Sequence, residues 1–323
     1  MSTNNKGLVS VLMSAYNAEK YIEQAIKSIL EQSYHNFEFL ITDDCSTDKT
    51  KTLINSFGAD KRISVYHNTS NLGYLRTINN LFEKCKGEYI TFLDADDWSD
   101  ARRLEIMVNA FEKDKDLGCV GCLGQKVSED GRRISDILFK TNHQDIRNEI
   151  LTEFNFIGAA IMVRNKVLAD IGPYDLHFDR IGSEHLFWGG RIILKYKTIN
   201  VPEQLYFYRT LTESYSSKNM RSVKGQMGKE LALVALRKIS EDNIDIFKNE
   251  NKKLYTETMN YLFMKYNFWN DNFFTGLIFY LKNIGKNKMQ FADKNSLLNM
   301  YSKKWAKNIF RPVTTKNKVL IST

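Results

Sequence analysis

Short apolar runs alternate with amphipathic stretches through the first third of this chain, and most of the apolar runs end in polar or acidic residues. The apolar runs predict strands, and apolar residues at helical spacing predict helices between them. Strands are expected at residues 8–14, 37–43, 62–67 and 88–94, and helices at 19–31, 49–57, 73–84 and 101–113. Ser99 is expected to cap the last of these helices. This alternation is typical of an α/β fold, with a mostly parallel sheet and helices on both faces.

The pattern changes beyond residue 118. A turn at Asp130-Gly131 separates two predicted strands, and a mixed half follows. It has helices expected near 144–153 and 183–196, and strands at 158–163 and 204–208. Beyond Met220 the apolar spacing predicts helices alone. We therefore expect an α/β domain at residues 1–218 and a helical C-terminal region at 219–323.

The C-terminal region is basic and rich in aromatic residues. Residues 219–323 carry 19 basic and 8 acidic side chains, whereas residues 1–218 carry 27 and 30. Within residues 261–323 the basic side chains number 11 and the acidic ones 2. Helices of this composition bind anionic bilayers, so contact with a membrane surface is one expectation. The alternative is a subdomain that packs on the rest of the chain or on a second subunit of an oligomer. Vesicle flotation with and without residues 261–323 separates the two.

Apolar length and cysteine usage indicate the compartment. No apolar run reaches the roughly 20 residues that span a bilayer, and residues 1–7 lack the apolar core of a signal peptide. We expect a cytoplasmic protein, peripheral on the inner face of the membrane if the tail binds there. Cys119 and Cys122 form a CxxC pair without a second pair or a nearby histidine. We interpret them as small core residues.

Polar residues cluster where three of the predicted strands end. Ser14 to Asn17 follow the first strand, Asp43 to Asp48 the second, and Asp94 to Asp97 the fourth. In an open α/β sheet the ligand lies at the carboxyl ends of the strands, so these segments should meet in one crevice. Turn formation or helix capping is the alternative, with most weight at Asp48.

Asp94 and Asp96 carry the strongest chemical signal in these segments. Two residues apart on an extended backbone, they would point to the same face. Carboxylates suit Mn²⁺ or Mg²⁺, and a metal that also binds phosphate oxygens needs few protein ligands. A solvated acidic loop before a helix is the alternative.

These segments, with Asn71-Leu72-Gly73 and Lys86 to Ile90, resemble family 2 glycosyltransferases in residue type, order and spacing. The resemblance covers roughly residues 8–216. It implies a GT-A fold, a nucleotide-sugar donor with a UDP-sugar favoured, a divalent metal and inversion at the anomeric carbon. A glycan or lipid-linked acceptor in surface polysaccharide synthesis would fit such an enzyme.

The resemblance also assigns roles to residues on the donor side. It implies that Ser14 and Asp44 contact the nucleotide base, Asp94 the ribose and Asp96 the metal. Arg76 would contact the base or the diphosphate, although a surface position on its helix is equally compatible with the sequence. Cys45 stands where the family usually has glycine, which we interpret as a tolerated change in the turn.

On the acceptor side, the segments 172–175 and 182–188 resemble the family segment that carries the catalytic base. Glu184, four residues before Trp188, takes the position of the base, and Asp179 is the fallback. His185 is interpreted as a packing residue. Leu211 replaces a family histidine, which removes a candidate third metal ligand.

Two other functions are compatible with parts of the sequence. A nucleotidyltransferase also binds a nucleotide and a metal on an α/β sheet, but residues 14–17 lack the glycines of a phosphate loop. A nucleic-acid-binding protein is a further alternative because Lys282, Lys286 and Lys288 lie near Phe279 and Tyr280. We consider nucleic acid the weaker of the partners. Metal-dependent hydrolysis of a nucleotide-sugar would favour the glycosyltransferase.

Overall fold

The computed structural model describes residues 7–152, 154–211 and 222–269. The chain divides into two units, Met1–Asn251 and Lys252–Thr323. The predicted boundary at residue 218 stays a prediction. The basic and aromatic residues on which the membrane and nucleic-acid hypotheses depend lie largely beyond residue 269, outside the described residues.

In the described part of the chain, nine strands form one sheet. They are β1 Val9–Ala15, β2 Phe37–Asp43, β3 Ile63–His67, β4 Tyr89–Phe92, β5 Trp98–Ser99, β6 Leu117–Val127, β7 Arg133–Ile137, β8 Met162–Arg164 and β9 Lys197–Arg209. The order is β3-β2-β1-β4-β8-β6-β9-β5, with β7 paired to β6. Strands β1 to β4 are parallel, β8 runs antiparallel to β4 and β6, and β6 and β9 are parallel. This mixed sheet confirms the predicted α/β class and the change of pattern after residue 118.

Helices connect these strands and extend past the last of them. In the first unit they are α1 Ile22–Leu30, α2 Thr50–Ser56, α3 Tyr74–Phe82, α4 Arg103–Lys113, α5 His143–Glu149, α6 Asn165–Ile171, α7 Glu184–Lys195 and α8 Val223–Asp242, and in the second unit α9 Lys252–Trp269. Short 3-10 helices occupy Gly158–Ala160, Leu176–Phe178 and Asn249–Asn251. The predicted pattern did not include α6. Among the described residues, no helix is both long and apolar enough to cross a bilayer.

The core follows from apolar residues on the faces that meet. In α1 the buried residues Ile22, Ala25, Ile26 and Ile29 follow the helical spacing of three and four. Strand β1 lies between β2 and β4 and is buried along most of its length, as expected for a central parallel strand. These contacts fix the carboxyl ends of β1, β2 and β4 side by side.

Two local predictions were wrong. Ser99 does not cap α4, because its backbone pairs with Tyr206 of β9 and the helix begins at Arg103. Residues 158–163 do not form one strand. Gly158–Ala160 is a 3-10 helix, and the strand β8 begins only at Met162. Gly158 lies so close to His185 that a Cβ on it would be 2.4 Å from Cγ of His185, which only glycine avoids.

Cys119 and Cys122 are buried free thiols in β6. Burial raises the pKa of both thiols, that of Cys122 to about 12. A thiol with so high a pKa is a poor nucleophile and a poor metal ligand. The interpretation of the pair as core residues is confirmed.

Candidate functional site

A cleft of about 1020 Å³ opens beyond the carboxyl ends of β1, β2 and β4. Five of the predicted site residues line it: Ser14, Asp44, Asp94, Asp96 and Glu184. The sixth, Arg76, does not appear on its wall. The cleft is also lined by Asp179 and Leu211 from the second half of the unit. The two halves of the predicted pattern therefore meet around one cavity of the size that holds a small organic ligand.

The loops after β1 and β2 are fastened to one another. The amide of Thr47 donates to Oδ1 of Asn17 at 2.9 Å, and the amide of Glu19 donates to Oδ2 of Asp48 at 3.1 Å. Asp48 also accepts from the amide of Thr50 at 2.9 Å, so it serves as a turn residue, the alternative weighed for it. Cys45 has a φ of 65°, the left-handed conformation in which glycine is most easily accommodated.

Asp44 forms one end of the cleft and is buried. Its Oδ1 accepts from the amide of Leu72 at 2.9 Å and from Nδ2 of Asn68 at 2.7 Å. Its Oδ2 accepts from the amide of Gly73 at 2.8 Å. The carboxylate thereby holds the loop that precedes α3, so it shapes this wall of the cleft whatever else it binds.

Asp94 to Asp97 form the acidic turn in the centre of the cleft. The segment is not extended, because the amide of Asp97 donates to the carbonyl oxygen of Asp94 at 3.2 Å. Contrary to the prediction, Asp94 and Asp96 do not point to one face of an extended backbone. The turn nevertheless brings Asp94 and Asp96 to the cleft wall together.

The carboxylates of the acidic turn are buried and lie close to other negative charges. Burial, and then the charges of Asp96 and Glu184, raise the pKa of Asp94 to about 7. Burial also raises the pKa of Asp96, while Arg209 opposes that shift. A divalent cation among these oxygens would offset the repulsion and favour the ionised carboxylates. The donor atoms are oxygens, as Mn²⁺ and Mg²⁺ prefer, so the turn fits such a metal when phosphate oxygens complete its coordination. Within the described residues no group of three or more acidic, histidine or cysteine side chains forms a metal cage.

Arg209, the last residue of β9, holds the acidic turn in place through hydrogen bonds. It was not among the site residues predicted from the sequence. Its backbone amide donates to Oδ1 of Asp97 at 2.7 Å and its Nε to the carbonyl oxygen of Asp96 at 2.8 Å. Its Nη2 donates to Oε1 of Gln24 at 2.6 Å. The guanidinium lies between two rings, 4.7 Å from the centroid of Tyr21 and 4.8 Å from that of Trp98. The sequence around residue 209 does not indicate a contact with Asp96. The contact arises because β9 pairs with β5, the short strand that follows the acidic turn.

Replacing Arg209 with Met is expected to destabilise the protein by about 2–4 kcal/mol, because buried acceptors and two aromatic faces lose their cation. Urea unfolding of the whole chain measures the change. The matched control is Arg102→Met, since the ion pair of Arg102 with Asp100 is exposed and screened by solvent and should contribute little to the free energy of unfolding. Equal midpoints for the two variants would contradict the fastening role.

Glu184 is the first residue of α7 and lines the cleft. Four residues on, Trp188 is buried, and its Nε1 donates to the carbonyl oxygen of Gly172 at 2.8 Å. The ring of Trp188 packs against Phe82, Phe92 and Tyr174. This aromatic cluster fixes the start of α7. Oε2 of Glu184 is buried and has no hydrogen-bond partner among the described residues.

His185 lies in the cleft wall and packs against two tyrosines, in agreement with its interpretation as a packing residue. Its Nδ1 is 3.0 Å from the hydroxyl of Tyr174, and its ring meets those of Tyr74 and Tyr174 edge to face. Burial lowers the pKa of His185, so its neutral form is favoured. The hydrogen bond and the ring contacts orient the residue that follows Glu184.

Arg76 and Asp179 form an ion pair beside the cleft. Nε of Arg76 donates to Oδ2 of Asp179 at 2.8 Å, and the Arg76 side chain is about half exposed. Oδ2 of Asp179, the alternative base, thus has a cationic partner, whereas Oδ1 of Asp179 and Oε2 of Glu184 are both buried without a hydrogen-bond partner among the described residues. Leu211 lies on the cleft wall in place of the family histidine.

The family model for glycosyl transferase family 2 matches residues 10–172. An uncharacterized glycosyltransferase of Haemophilus influenzae is 29% identical over 258 residues, 76% of this chain and 76% of the relative. A second one from that organism is 43% identical over 106 residues, 32% of this chain and 42% of its own length. The putative teichuronic acid biosynthesis glycosyltransferase TuaG of Bacillus subtilis is 43% identical over 96 residues, 29% of this chain and 38% of its own length. This chain therefore covers less than half the length of the latter two relatives.

Two solved structures share the fold at low sequence identity. TarS 1-349 of S. aureus, solved in complex with UDP-GlcNAc, is 18% identical, with a TM-score of 0.61, over 80% of this chain and 72% of that one. The mannosyltransferase PcManGT of Pyrobaculum calidifontis, in complex with GDP-Man and Mn²⁺, is 17% identical, with a TM-score of 0.52, over 93% and 80%. The likeness to TarS identifies the sheet and its helices as a GT-A-like fold.

Proposed function

The chain belongs to glycosyl transferase family 2, and from that premise we propose that it moves a sugar from a nucleoside diphosphate to an acceptor hydroxyl with inversion. One observation carries the proposal. The acidic turn and Glu184, whose Oε2 has no hydrogen-bond partner among the described residues, line the same cleft, and the charge of Glu184 contributes to the raised pKa of Asp94. A site for an anionic, metal-bound leaving group and a candidate base thus lie on opposite halves of one cavity.

In the proposed reaction Glu184 accepts the proton of the acceptor hydroxyl. The oxygen of that hydroxyl forms a bond to the anomeric carbon as the bond to the diphosphate oxygen breaks. Asp44 and the loop it holds bound the nucleotide end of the cleft, with Ser14 beside the base and Asp94 beside the ribose. Arg209 keeps the acidic turn in place, and a preorganised turn need not rearrange as charge develops.

Asp96 would hold the divalent metal ion, with Mn²⁺ or Mg²⁺ as candidates. Such an ion, when bound, offsets the charge that develops on the departing diphosphate. The oxygen donors and the raised carboxylate pKa values of the acidic turn support this assignment. The solved PcManGT complex with GDP-Man and Mn²⁺ supports it by analogy of fold.

For the acceptor, we propose a growing glycan or a lipid-linked glycan in surface polysaccharide synthesis. The name of TuaG places that relative in teichuronic acid biosynthesis. Chondroitin synthase of Escherichia coli is matched over 40% of this chain, at 33% identity. A nucleotidyltransferase finds no support in these relatives.

Thermal unfolding with and without donors tests the proposed function. We expect a nucleotide-sugar with Mn²⁺ to raise the melting temperature, because a ligand that binds only the folded state stabilises it. At a hundredfold excess over Kd the gain is about 2.7 kcal/mol. EDTA should remove most of the shift. A panel of UDP-, GDP- and other nucleotide-sugars that leaves the melting temperature unchanged would contradict the proposal.

A further inference from the structure

The cleft is poor in positive charge. Acidic side chains predominate on its wall, and the cations among the described lining residues are Lys20 and Arg180. Nζ of Lys20 is 3.4 Å from Oε1 of Glu129, so its charge is partly matched. Arg180 has no carboxylate partner among the described residues, and its side chain is exposed. Of the cations that line the cleft in the described part of the chain, Arg180 is therefore the one without a carboxylate partner.

Contacts place Arg180 at the end of the cleft that Asp44 shapes. Nη2 of Arg180 donates to the carbonyl oxygen of Asn71 at 3.0 Å and to its Oδ1 at 2.9 Å. A Cβ on Gly73 would lie 3.5 Å from Cζ of Arg180. Asn71 and Gly73 belong to the loop that Asp44 holds. The guanidinium thus lies against the wall that follows β3.

This end of the cleft is remote from the acidic turn. Asp44 follows β2 and Asp94 follows β4, and β1 lies between these strands. Adjacent strands are about 4.8 Å apart, so the two strand ends are roughly 10 Å apart. If the diphosphate binds at the acidic turn, the base at the opposite end of the nucleotide extends toward Arg180.

The guanidinium can offer only hydrogen-bond donors. It has five N–H groups and no acceptor, and the two bonds to Asn71 use Nη2 alone. Guanine presents the acceptors O6 and N7, and a keto pyrimidine presents O4. Cytosine and adenine present an amino group at the equivalent position, which would face a second donor. The geometry therefore favours a base with a keto edge.

We propose that Arg180 selects the donor nucleotide by binding the keto edge of uracil or guanine, an inference that rests on the proposed nucleotide-sugar function. Asp44 shapes the pocket for the base, and Arg180 supplies its selectivity. A bidentate contact to O6 and N7 of guanine discriminates against the wrong base by about tenfold to a hundredfold, and uracil offers the guanidinium the acceptor O4 on this edge.

Titration calorimetry with the whole chain and Mn²⁺ tests this proposal. The probes are UDP with its amino counterpart CDP, GDP with its counterpart ADP, and inorganic pyrophosphate. We expect UDP or GDP to bind at least about tenfold more tightly than its counterpart. In Arg180→Met that preference should fall below about threefold while pyrophosphate binding stays unchanged. Arg102→Met, at an exposed residue that does not line the cleft, should retain the preference of the parent.

The other possible outcomes contradict either the selectivity of Arg180 or the proposed function. A preference that persists in Arg180→Met means that another group reads the base. Equal losses for all nucleotides and for pyrophosphate mean that Arg180 binds the diphosphate or supports the fold. If the parent binds nucleotides without preference, the selectivity inference is wrong and the proposed function stands. If the parent binds none of them with Mn²⁺, the proposed function is wrong and the inference falls with it.

Discussion

Replacing Asp96 with Ala is expected to lower sugar transfer by about a hundredfold to a thousandfold or more, because the departing diphosphate loses the cation that this residue would hold. The fold should remain intact. Burial raises the pKa of Asp96, which means that its charge is unfavourable in the folded chain, so the variant should melt at the same temperature as the parent or higher. Initial rates with saturating donor, together with the melting temperature, measure both effects.

The metal assignment has its own readout. Mn²⁺ with nucleotide should raise the melting temperature of the parent and no longer that of Asp96→Ala. Asp136→Ala is the matched control, since Asp136 lies on β7 in a partly exposed ion pair with Arg133. This control should keep the rate and the Mn²⁺ response of the parent. Unchanged, EDTA-sensitive activity in Asp96→Ala would show that Asp96 does not hold the metal.

Replacing Glu184 with Gln is expected to lower turnover by the roughly 10²- to 10⁴-fold typical of a lost general base. Gln preserves the size of the side chain and removes its basicity. Donor binding should change little, because the proposed base contacts the acceptor. The unpartnered Oε2 of Glu184 in the cleft wall is the observation that motivates the test. Single-turnover kinetics with donor and acceptor, and calorimetry with donor alone, separate the two effects.

A structural role for Glu184 predicts a different result. A carboxylate in the first turn of α7 interacts favourably with the helix dipole, so a purely structural Glu184→Gln would lower the melting temperature by a few degrees with turnover preserved. Asp179→Asn is the companion variant, in which the ion pair with Arg76 is weakened. If Asp179→Asn stops transfer and Glu184→Gln does not, Asp179 is the base.

The local spacing of apolar and polar residues predicted most of the strands and helices up to residue 113. The predicted β2 coincides with the observed Phe37–Asp43, and the ends of the other predicted strands and helices up to residue 113 differ from the observed ends by at most three residues. The reason is that a buried parallel strand is a continuous apolar run and its polar end is local in sequence. Ser14, Asp44, Asp94 and Asp96 could be placed near one another because strand order and the carboxyl-end rule act on such local signals.

The contacts that the sequence did not predict join segments that are far apart in the chain. The sequence around Ser99 predicts a helix cap, whereas in the structure Ser99 pairs with β9. Arg209 donates a hydrogen bond to Asp96, which lies 113 residues earlier in the chain. Arg180 bonds Asn71 across 109 residues. No spacing rule reports such contacts, because they depend on how the mixed second half folds over the first. The sequence itself shows only that Arg180 follows Asp179 and that Arg209 ends the aromatic segment Tyr206-Phe207-Tyr208.

The fastening of the acidic turn by Arg209 has a consequence for how the chain acquires its activity during synthesis. Contacts between residues far apart in sequence form late, since long loops must close first. Strands β1 to β4 can pair as soon as they leave the ribosome. Asp96 and Asp97, however, accept the hydrogen bonds of Arg209 only after β9 has been synthesised and has paired with β6. In a nascent chain the acidic turn therefore lacks these hydrogen bonds until β9, the last strand of the described residues, has docked, and we expect the proposed sugar transfer to begin only at that stage of folding.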